Sequence, residues 1–407
     1  MSAPRAIVLL CATTFSGGCP VEPLCEALTD EVRRCDLVPE QDDTCMGAGF
    51  GELTRLLDAI ETDGCSALYD AKTDVVLPTV CDAMDWECPA PLHPLQTAVV
   101  SRYPLVLVSG IDDAPIFDWD PGIERRLDPI VPTYHVVLPP WLLTERRSPA
   151  LWEALQPILA DHERVNLVCY AVGGLACRHA VSPGGLFADD PLLAIEARNA
   201  VASITTIATP HRGSNVADVA LATPDNDARR LISAGVLPSA TALSDDERDA
   251  QIQDVLEELS LDGMRAFNDR VPNAAEVRYH SWAGVSYAFG QTIWPIDSDI
   301  DERCATNTGE PAYRHHQDTH DPMTEGLWVL SPLAEIAVDS NGHSVSSPND
   351  GMVPVTSAAW GSFHGCLPTD HYDVVGRLTH PGVDPVTGFY PAGFLSQLAL
   401  RLAEEGS

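Results

Sequence analysis

Apolar runs of strand length alternate with stretches of helical periodicity from residue 103 onward. Between the second and third runs, Ser148 and Pro149 are residue types that begin a helix, and we predict one that continues to Ala160. Strands that alternate with helices are typical of a mostly parallel sheet with helices on both faces, so we predict an α/β fold. The predicted strands cover residues 104–108, 134–138, 165–169, 203–208, 277–283 and 333–338.

The pattern before residue 96 is different. Residues 19–95 are dense in cysteine and acidic residues, with few strand patterns, and we predict a disulfide-linked extension ahead of a main domain at 96–407. The short apolar run after Arg5 predicts an export signal over residues 1–18, too short to span a bilayer. The small residues before Cys19 are similar to a bacterial lipoprotein cleavage site, so either lipidation at Cys19 or plain secretion is expected.

Cysteine usage agrees with export from the cytoplasm. Without residues 1–18, and with Cys19 lipidated, an even set remains, which suits disulfides in an oxidising compartment. The alternative is that several are free buried thiols, because two of them fall within predicted core elements. The set comprises Cys25, Cys35, Cys45, Cys65, Cys81, Cys88, Cys169, Cys177, Cys304 and Cys366.

The charge composition bears on which molecules the protein can bind. The 407 residues include 24 basic and 59 acidic side chains, a formal net charge of −35 spread along the chain. Such a charge argues against nucleic acid and anionic membrane surfaces as partners. The length is sufficient for one large domain with a substantial core.

The sharpest chemical signal lies where the third predicted strand ends. Residues 165–175 read V-N-L-V-C-Y-A-V-G-G-L and lead directly into a helical stretch. A strand, a tight turn closed by two glycines and a helix form the geometry of a nucleophile elbow, whose central residue is strained. That central residue is Ala171.

This segment resembles the bacterial triacylglycerol lipases of the Pseudomonas and Burkholderia type, which read V-N-L-I-G-H-S-x-G-G-L. Ala171 takes the serine position, and Cys169 and Tyr170 replace glycine and histidine. Four more segments match in the same order. They are Y-P-L-V-L-V-S-G at 103–110 (family Y-P-I-V-L-V-H-G), T-T-I-A-T-P-H-R-G-S at 205–214 (T-T-I-S-T-P-H-R-G-S), N-D-G-M-V at 349–353 (N-D-G-L-V) and H-Y-D at 371–373 (H-L-D).

The resemblance implies an α/β-hydrolase fold and a role for each matched position. His371 would act as the general base, Asp350 would orient it, and the backbone N–H groups of Ile111 and Val172 would bind an oxyanion. The segment 221–273 carries helical patterns without strand patterns, where this fold accepts a helical insert over its site. A mobile lid and a fixed insert both remain open interpretations.

The resemblance also implies a structural calcium ion beside the histidine loop. Its ligands would be the carboxylates of Asp321 and Asp373 and the backbone carbonyls of Arg377 and Pro381, hard oxygen donors of the kind that Ca²⁺ requires. In so acidic a chain, the two carboxylates alone are weak support for this cofactor.

The alanine changes the expected function. A methyl group cannot attack a carbonyl, so we predict a secreted or lipid-anchored pseudoenzyme that binds acyl ester or lipid ligands with hydrolysis lost or very weak. The alternative is an active carboxylic ester hydrolase with a displaced nucleophile, Ser109 being the nearest candidate, or with water activated by His371 and Asp350. A third possibility is that residues 19–95 form the working module on a hydrolase scaffold.

Overall fold

The computed structural model describes residues 101–406, with gaps at 112–116, 128–130, 224–244, 288–303, 305–322, 325–326, 339–342, 377–386 and 388. The predicted export signal at 1–18, Cys19 and the predicted extension at 19–95 lie outside the described residues. Asp321, Arg377 and Pro381 do so as well.

Strands and helices alternate along the described chain. The strands are β1 (Leu105–Val108), β2 (Thr133–Val136), β3 (Val165–Tyr170), β4 (Val201–Ile207), β5 (Arg278–Gly284), β6 (Ile336–Val338), β7 (Ser344–Ser346) and β8 (Ser362–Leu367). The helices are α1 (Pro121–Leu127), α2 (Thr144–Asp161), α3 (Gly173–Val181), α4 (Pro191–Ala200), α5 (Asn215–Ala222), α6 (Asp245–Leu259), α7 (Leu261–Arg270), α8 (Ser331–Glu335), α9 (Val355–Ala358) and α10 (Pro391–Glu404), with a 3₁₀ turn at Asp373–Val375.

A six-stranded sheet in the order β2-β1-β3-β4-β5-β8 forms the centre of the fold. Every neighbouring pair is parallel. Alternate side chains of β1 enter two different cores, Leu105 and Leu107 one and Val106 and Val108 the other, because successive strand residues point to opposite faces. Helices supply both cores, so the predicted α/β fold with helices on both faces is confirmed.

One predicted strand forms only in its second half and lies outside the main sheet. Residues 333–338 form the end of α8 and then β6, which pairs antiparallel with β7 outside the main sheet. Pro332 near the start of α8 favours a helical turn there. The sixth sheet strand is instead β8, which was not predicted because its apolar residues are few and its first half is partly exposed at the sheet edge.

Two helix boundaries also differ from the sequence predictions. Helix α2 begins at Thr144, so Ser148 and Pro149 lie inside it instead of forming its start. The helical pattern at 254–267 divides into α6 and α7, because the hydroxyl group of Ser260 caps the second helix by accepting a hydrogen bond from the amide of Gly263.

Disulfides join the four cysteines among the described residues. Cys169 is bonded to Cys177, and Cys304 to Cys366. The interpretation of Cys169 and Cys177 as free thiols is therefore wrong. The bond between Cys169 and Cys177 links the end of β3 to α3 across the turn that contains Ala171. Among the described helices, none combines the length and apolar character that a membrane span requires.

Candidate active site

The turn between β3 and α3 holds Ala171 in a left-handed conformation. Its φ is 47°, a region that residues other than glycine rarely occupy. Two contacts fix the turn, since the Ala171 amide donates to the carbonyl of Ile207 at 3.0 Å and the Thr209 hydroxyl group donates to the Ala171 carbonyl at 2.6 Å. The backbone therefore has the conformation of a strained nucleophile elbow around an alanine.

Two glycines allow this turn to pack. A Cβ atom on Gly173 would lie 2.3 Å from the backbone oxygen of Ser109, and one on Gly174 would lie 2.3 Å from the Thr209 hydroxyl oxygen. The first obstacle is backbone and cannot move aside easily. The Gly-Gly pair in the sequence is thus required by close approach to the neighbouring strand ends.

Asp350 and His371 form a buried pair beside the turn. Nδ1 of His371 lies 2.8 Å from a carboxylate oxygen of Asp350, and both side chains are almost fully buried. The other carboxylate oxygen accepts from the amides of Met352 and Val353 at 3.0 and 2.7 Å. The carboxylate is thus an acceptor, so Nδ1 of His371 carries the proton and Nε2 presents a lone pair.

A cavity of about 60 Å³ brings four of the predicted positions together. Ile111, Ala171, Val172 and His371 all line it. Nε2 of His371 has no hydrogen-bond partner within the described residues. The remaining lining side chains are mostly apolar: Trp141, Pro210, Ser214, Val216, Ala217, Leu256, Leu259, Met352 and Val353.

The amides of Ile111 and Val172 have the features of oxyanion donors. Neither donates a hydrogen bond to any residue in the described part of the chain. The buried guanidinium of Arg147 donates to the carbonyl of Gly110. In a trans peptide the C=O and the next N–H point in opposite directions, so this contact sets the direction of the Ile111 N–H.

Two residues that depart from the lipase pattern have structural roles. Burial, and after it the charge of Asp350, raises the pKa of the Tyr170 phenol well above its usual value, so it remains a donor. It donates to the backbone carbonyl of His371. The Ser109 hydroxyl is fully buried and accepts from the amide of Leu138 at 2.8 Å, and Ser109 does not line the cavity.

Sequence reasoning did not select Ser214, which lines the cavity. The hydroxyl group accepts from the amide of Val216 at 3.2 Å as the N-cap of α5 and donates to the carbonyl of Met352 at 2.6 Å. These bonds commit it to local structure. The residue type and its position before a helix are the usual signal of a cap.

Of the four predicted calcium ligands, only Asp373 is among the described residues. Asp373 is buried at the start of the 3₁₀ turn, two residues after His371. Asp321, Arg377 and Pro381 lie outside the described residues. Within the described ranges no group of three or more His, Cys, Asp or Glu residues is arranged to hold a metal. The calcium ion stays a prediction.

The described part of the predicted insert is attached firmly to the body of the protein. The Glu258 carboxylate accepts hydrogen bonds from both the amide and the hydroxyl group of Thr144, at the start of α2. The backbone of Ser260 lies so close to Gly213 that a Cβ atom there would be 2.7 Å from its oxygen. For residues 245–273 these contacts favour a fixed insert over a mobile lid, and Leu256 and Leu259 of this segment line the cavity.

Comparison with known proteins places the chain near lipases. It is 26% identical over 218 residues to triacylglycerol lipase 2 of Saccharomyces cerevisiae, covering 52% of this chain and 45% of the relative. It is 27% identical over 211 residues to a triacylglycerol lipase of Vibrio cholerae, covering 46% of this chain and 64% of the relative. The chain thus spans between about half and two thirds of these relatives. No protein-family profile matches it.

Solved structures with a similar fold include a lipase and an esterase. Lipase 1 of Pelosinus fermentans gives a TM-score of 0.47 at 16% identity, over 75% of this chain and 99% of that one. A metagenomic carboxyl esterase gives 0.48 at 16% identity, over 95% and 99% of the two chains.

Proposed function

We propose that this protein binds acyl ester or lipid ligands in the cavity above Ala171 and that its capacity for ester hydrolysis is lost or very weak. The observation that carries the proposal is the left-handed φ of 47° at Ala171, in the same cavity wall as His371 and the free amides of Ile111 and Val172. The similarity to triacylglycerol lipases supports an acyl ester as the ligand class.

The chemistry that remains explains why hydrolysis would be slow. Loss of the nucleophile from a serine triad lowers turnover by about a millionfold, and the oxyanion donors with substrate binding leave roughly 10³ to 10⁴ over the reaction in water. In this proposal the amides of Ile111 and Val172 and the His371–Asp350 pair act without a hydroxyl group at Ala171. Binding of an acyl group is therefore retained in this proposal, whereas formation of an acyl-enzyme is not.

An active ester hydrolase is the second candidate. Nε2 of His371 lies in the wall of the cavity without a protein partner, so it could activate a water molecule for direct attack. Ser109 is a poor nucleophile for this alternative, because its buried oxygen is engaged by the Leu138 amide and Ser109 lies outside the cavity lining. Secretion, or anchoring through a lipid at Cys19, remains part of the first proposal.

Hydrolysis of short and long p-nitrophenyl esters, measured with calcium present, tests the proposal. We expect the native protein to be silent and Ala171→Ser to turn over. Ala160→Ser adds a hydroxyl group at an exposed position on α2 and should stay silent. Turnover by the native protein that disappears in Asp350→Ala would show that Ala171 does not disable the site, and the alternative would replace the proposal.

A further inference from the structure

Three unpartnered polar groups belong to residues that line the same apolar cavity. They are the N–H groups of Ile111 and Val172 and the Nε2 atom of His371, whose side chain is only 3% exposed. Polar groups that have no protein partner and face an apolar cavity are left to water or a ligand, so these groups together favour a ligand that supplies matching atoms. Val172 also caps the nine-residue helix α3, whose positive end favours a negative group.

The small side chain of Ala171 leaves space in the cavity beside these three polar groups. A serine hydroxyl at that position would occupy the space beside Cβ and donate a hydrogen bond to His371 Nε2. With alanine the space and the Nε2 atom are both available. A ligand with two polar oxygens on one carbon can therefore use the amides with one oxygen and the histidine with the other.

We propose that the cavity binds short-chain monocarboxylic acids in preference to their esters, with the carboxyl group bridging the two amides and His371. This inference rests on the proposed function, since it specifies the ligand of the same site. No covalent bond forms or breaks. One oxygen accepts from the Ile111 and Val172 amides, and the second shares a single proton with Nε2, because the proton on Nδ1 is donated to Asp350.

An ester pairs with fewer of the three polar groups than an acid does. Its carbonyl oxygen can accept from the two amides, but its alkoxy oxygen carries no proton and no charge, so Nε2 of His371 stays unpaired. Leaving one buried hydrogen bond unmade weakens binding by about tenfold or more. The acid should therefore bind at least about tenfold more tightly than its methyl ester.

The size and lining of the cavity define the tail of the ligand. Beyond the polar end, its wall includes the apolar side chains of Val216, Ala217, Leu256 and Leu259. Its volume of about 60 Å³ corresponds to roughly four to six water-sized groups, at about 10–15 Å³ for each. An unbranched acid of about that many heavy atoms is the expected ligand, which makes butanoic acid a suitable upper probe.

Calorimetric titration of the full chain with butanoic acid and with methyl butanoate, at one buffered pH, tests the inference. We expect the native protein to bind the acid at least about tenfold more tightly than the ester. Ala171→Ser should weaken acid binding by at least about tenfold, since its hydroxyl group fills the place of the second oxygen. Ala160→Ser is the matched control with the same added hydroxyl outside the cavity, and thermal melting checks that both variants fold.

The outcomes separate this inference from the proposed function. Equal affinity for acid and ester, or no loss of acid binding in Ala171→Ser, would overturn the preference for acids while leaving ester binding intact. Hydrolysis of the methyl ester by the native protein would overturn the proposed loss of activity but not an observed acid preference. In ¹⁵N-histidine spectra, acid binding must shift the Nε2 signal of His371, and an unchanged signal would contradict the bridging geometry.

Discussion

The hydroxyl group of Tyr170 donates a hydrogen bond to the backbone carbonyl of His371 at 2.5 Å, across 201 positions of the chain. Their rings also lie with centroids 5.2 Å apart. The residue that precedes Ala171 therefore holds the loop that carries His371. In this chain a tyrosine provides that attachment where the resembling lipases have the elbow histidine.

Tyr170→Phe should loosen the histidine loop. The substitution keeps the ring and removes the donor, leaving the fully buried carbonyl of His371 without its partner, which costs about 1–3 kcal/mol. We expect the free energy of unfolding, measured by urea denaturation, to fall by that amount, and the affinity for acyl ligands to fall with it.

Tyr134→Phe is the matched comparison for this loss. Its hydroxyl group contacts His162 at a partly buried site on the edge strand β2, away from the cavity lining. That variant should lose less stability and keep its ligand affinity. If Tyr170→Phe proved as stable as the native protein, the hydrogen bond would have no role in holding the loop.

Arg147→Met should misdirect one of the two amides. Without the guanidinium, the Gly110 carbonyl has no other hydrogen-bond donor among the described residues. The peptide can then rotate, and the Ile111 N–H can turn away from the cavity. Loss of one oxyanion donor costs about 10² to 10³ in turnover, so a misdirected donor should lower kcat of the Ala171→Ser protein by about tenfold or more.

The neighbouring Arg146 offers a close control. It is exposed on the same helix, so Arg146→Met removes the same charge without touching the Gly110 carbonyl. We expect its kcat to match that of the Ala171→Ser parent. A change confined to KM in the Arg147→Met protein would indicate a role in ground-state binding alone and would contradict positioning of the oxyanion donor.

A histidine stack near the C-terminal helix should make the fold sensitive to acid. His364 lies on the ring of Trp282 and accepts from the Arg401 guanidinium at 2.7 Å, while its other nitrogen lies 2.9 Å from His280. Burial, then the charges of Arg401 and His280, lower the pKa of His364 from 6.5 to about 4. Glu405 lies 3.3 Å from His280 on the far side.

Proton uptake by His364 decides in which direction the unfolding free energy changes with pH. Between pH 6.5 and about 4 the unfolded chain binds a proton at His364 more readily than the folded protein does, so the stabilising effect of neutral His364 is present above pH 6.5 and is lost as pH falls through this window. His364→Phe should have a smaller difference in unfolding free energy between pH 7 and pH 5 than the native protein. An equal difference in both proteins would exclude His364 as a source of the acid sensitivity.

Local pattern was sufficient to predict much of the fold. The runs that became β1 and β3 were identified because strands buried on both faces are largely apolar, a property visible in any short window. The elbow was also local, since a strand, a tight turn and two glycines follow one another directly. The same reasoning failed at β8, whose polar residues at the sheet edge carry little apolar signal.

The sequence by itself determined that a parallel α/β sheet forms and that an alanine stands at the turn after β3. Only the tertiary structure decided what surrounds that alanine. The pairing of Cys169 with Cys177, the contact of Arg147 with Gly110 and the bond from Tyr170 to His371 join atoms through space. Such contacts depend on how helices and loops pack around the finished sheet, and no periodicity along the chain encodes that packing.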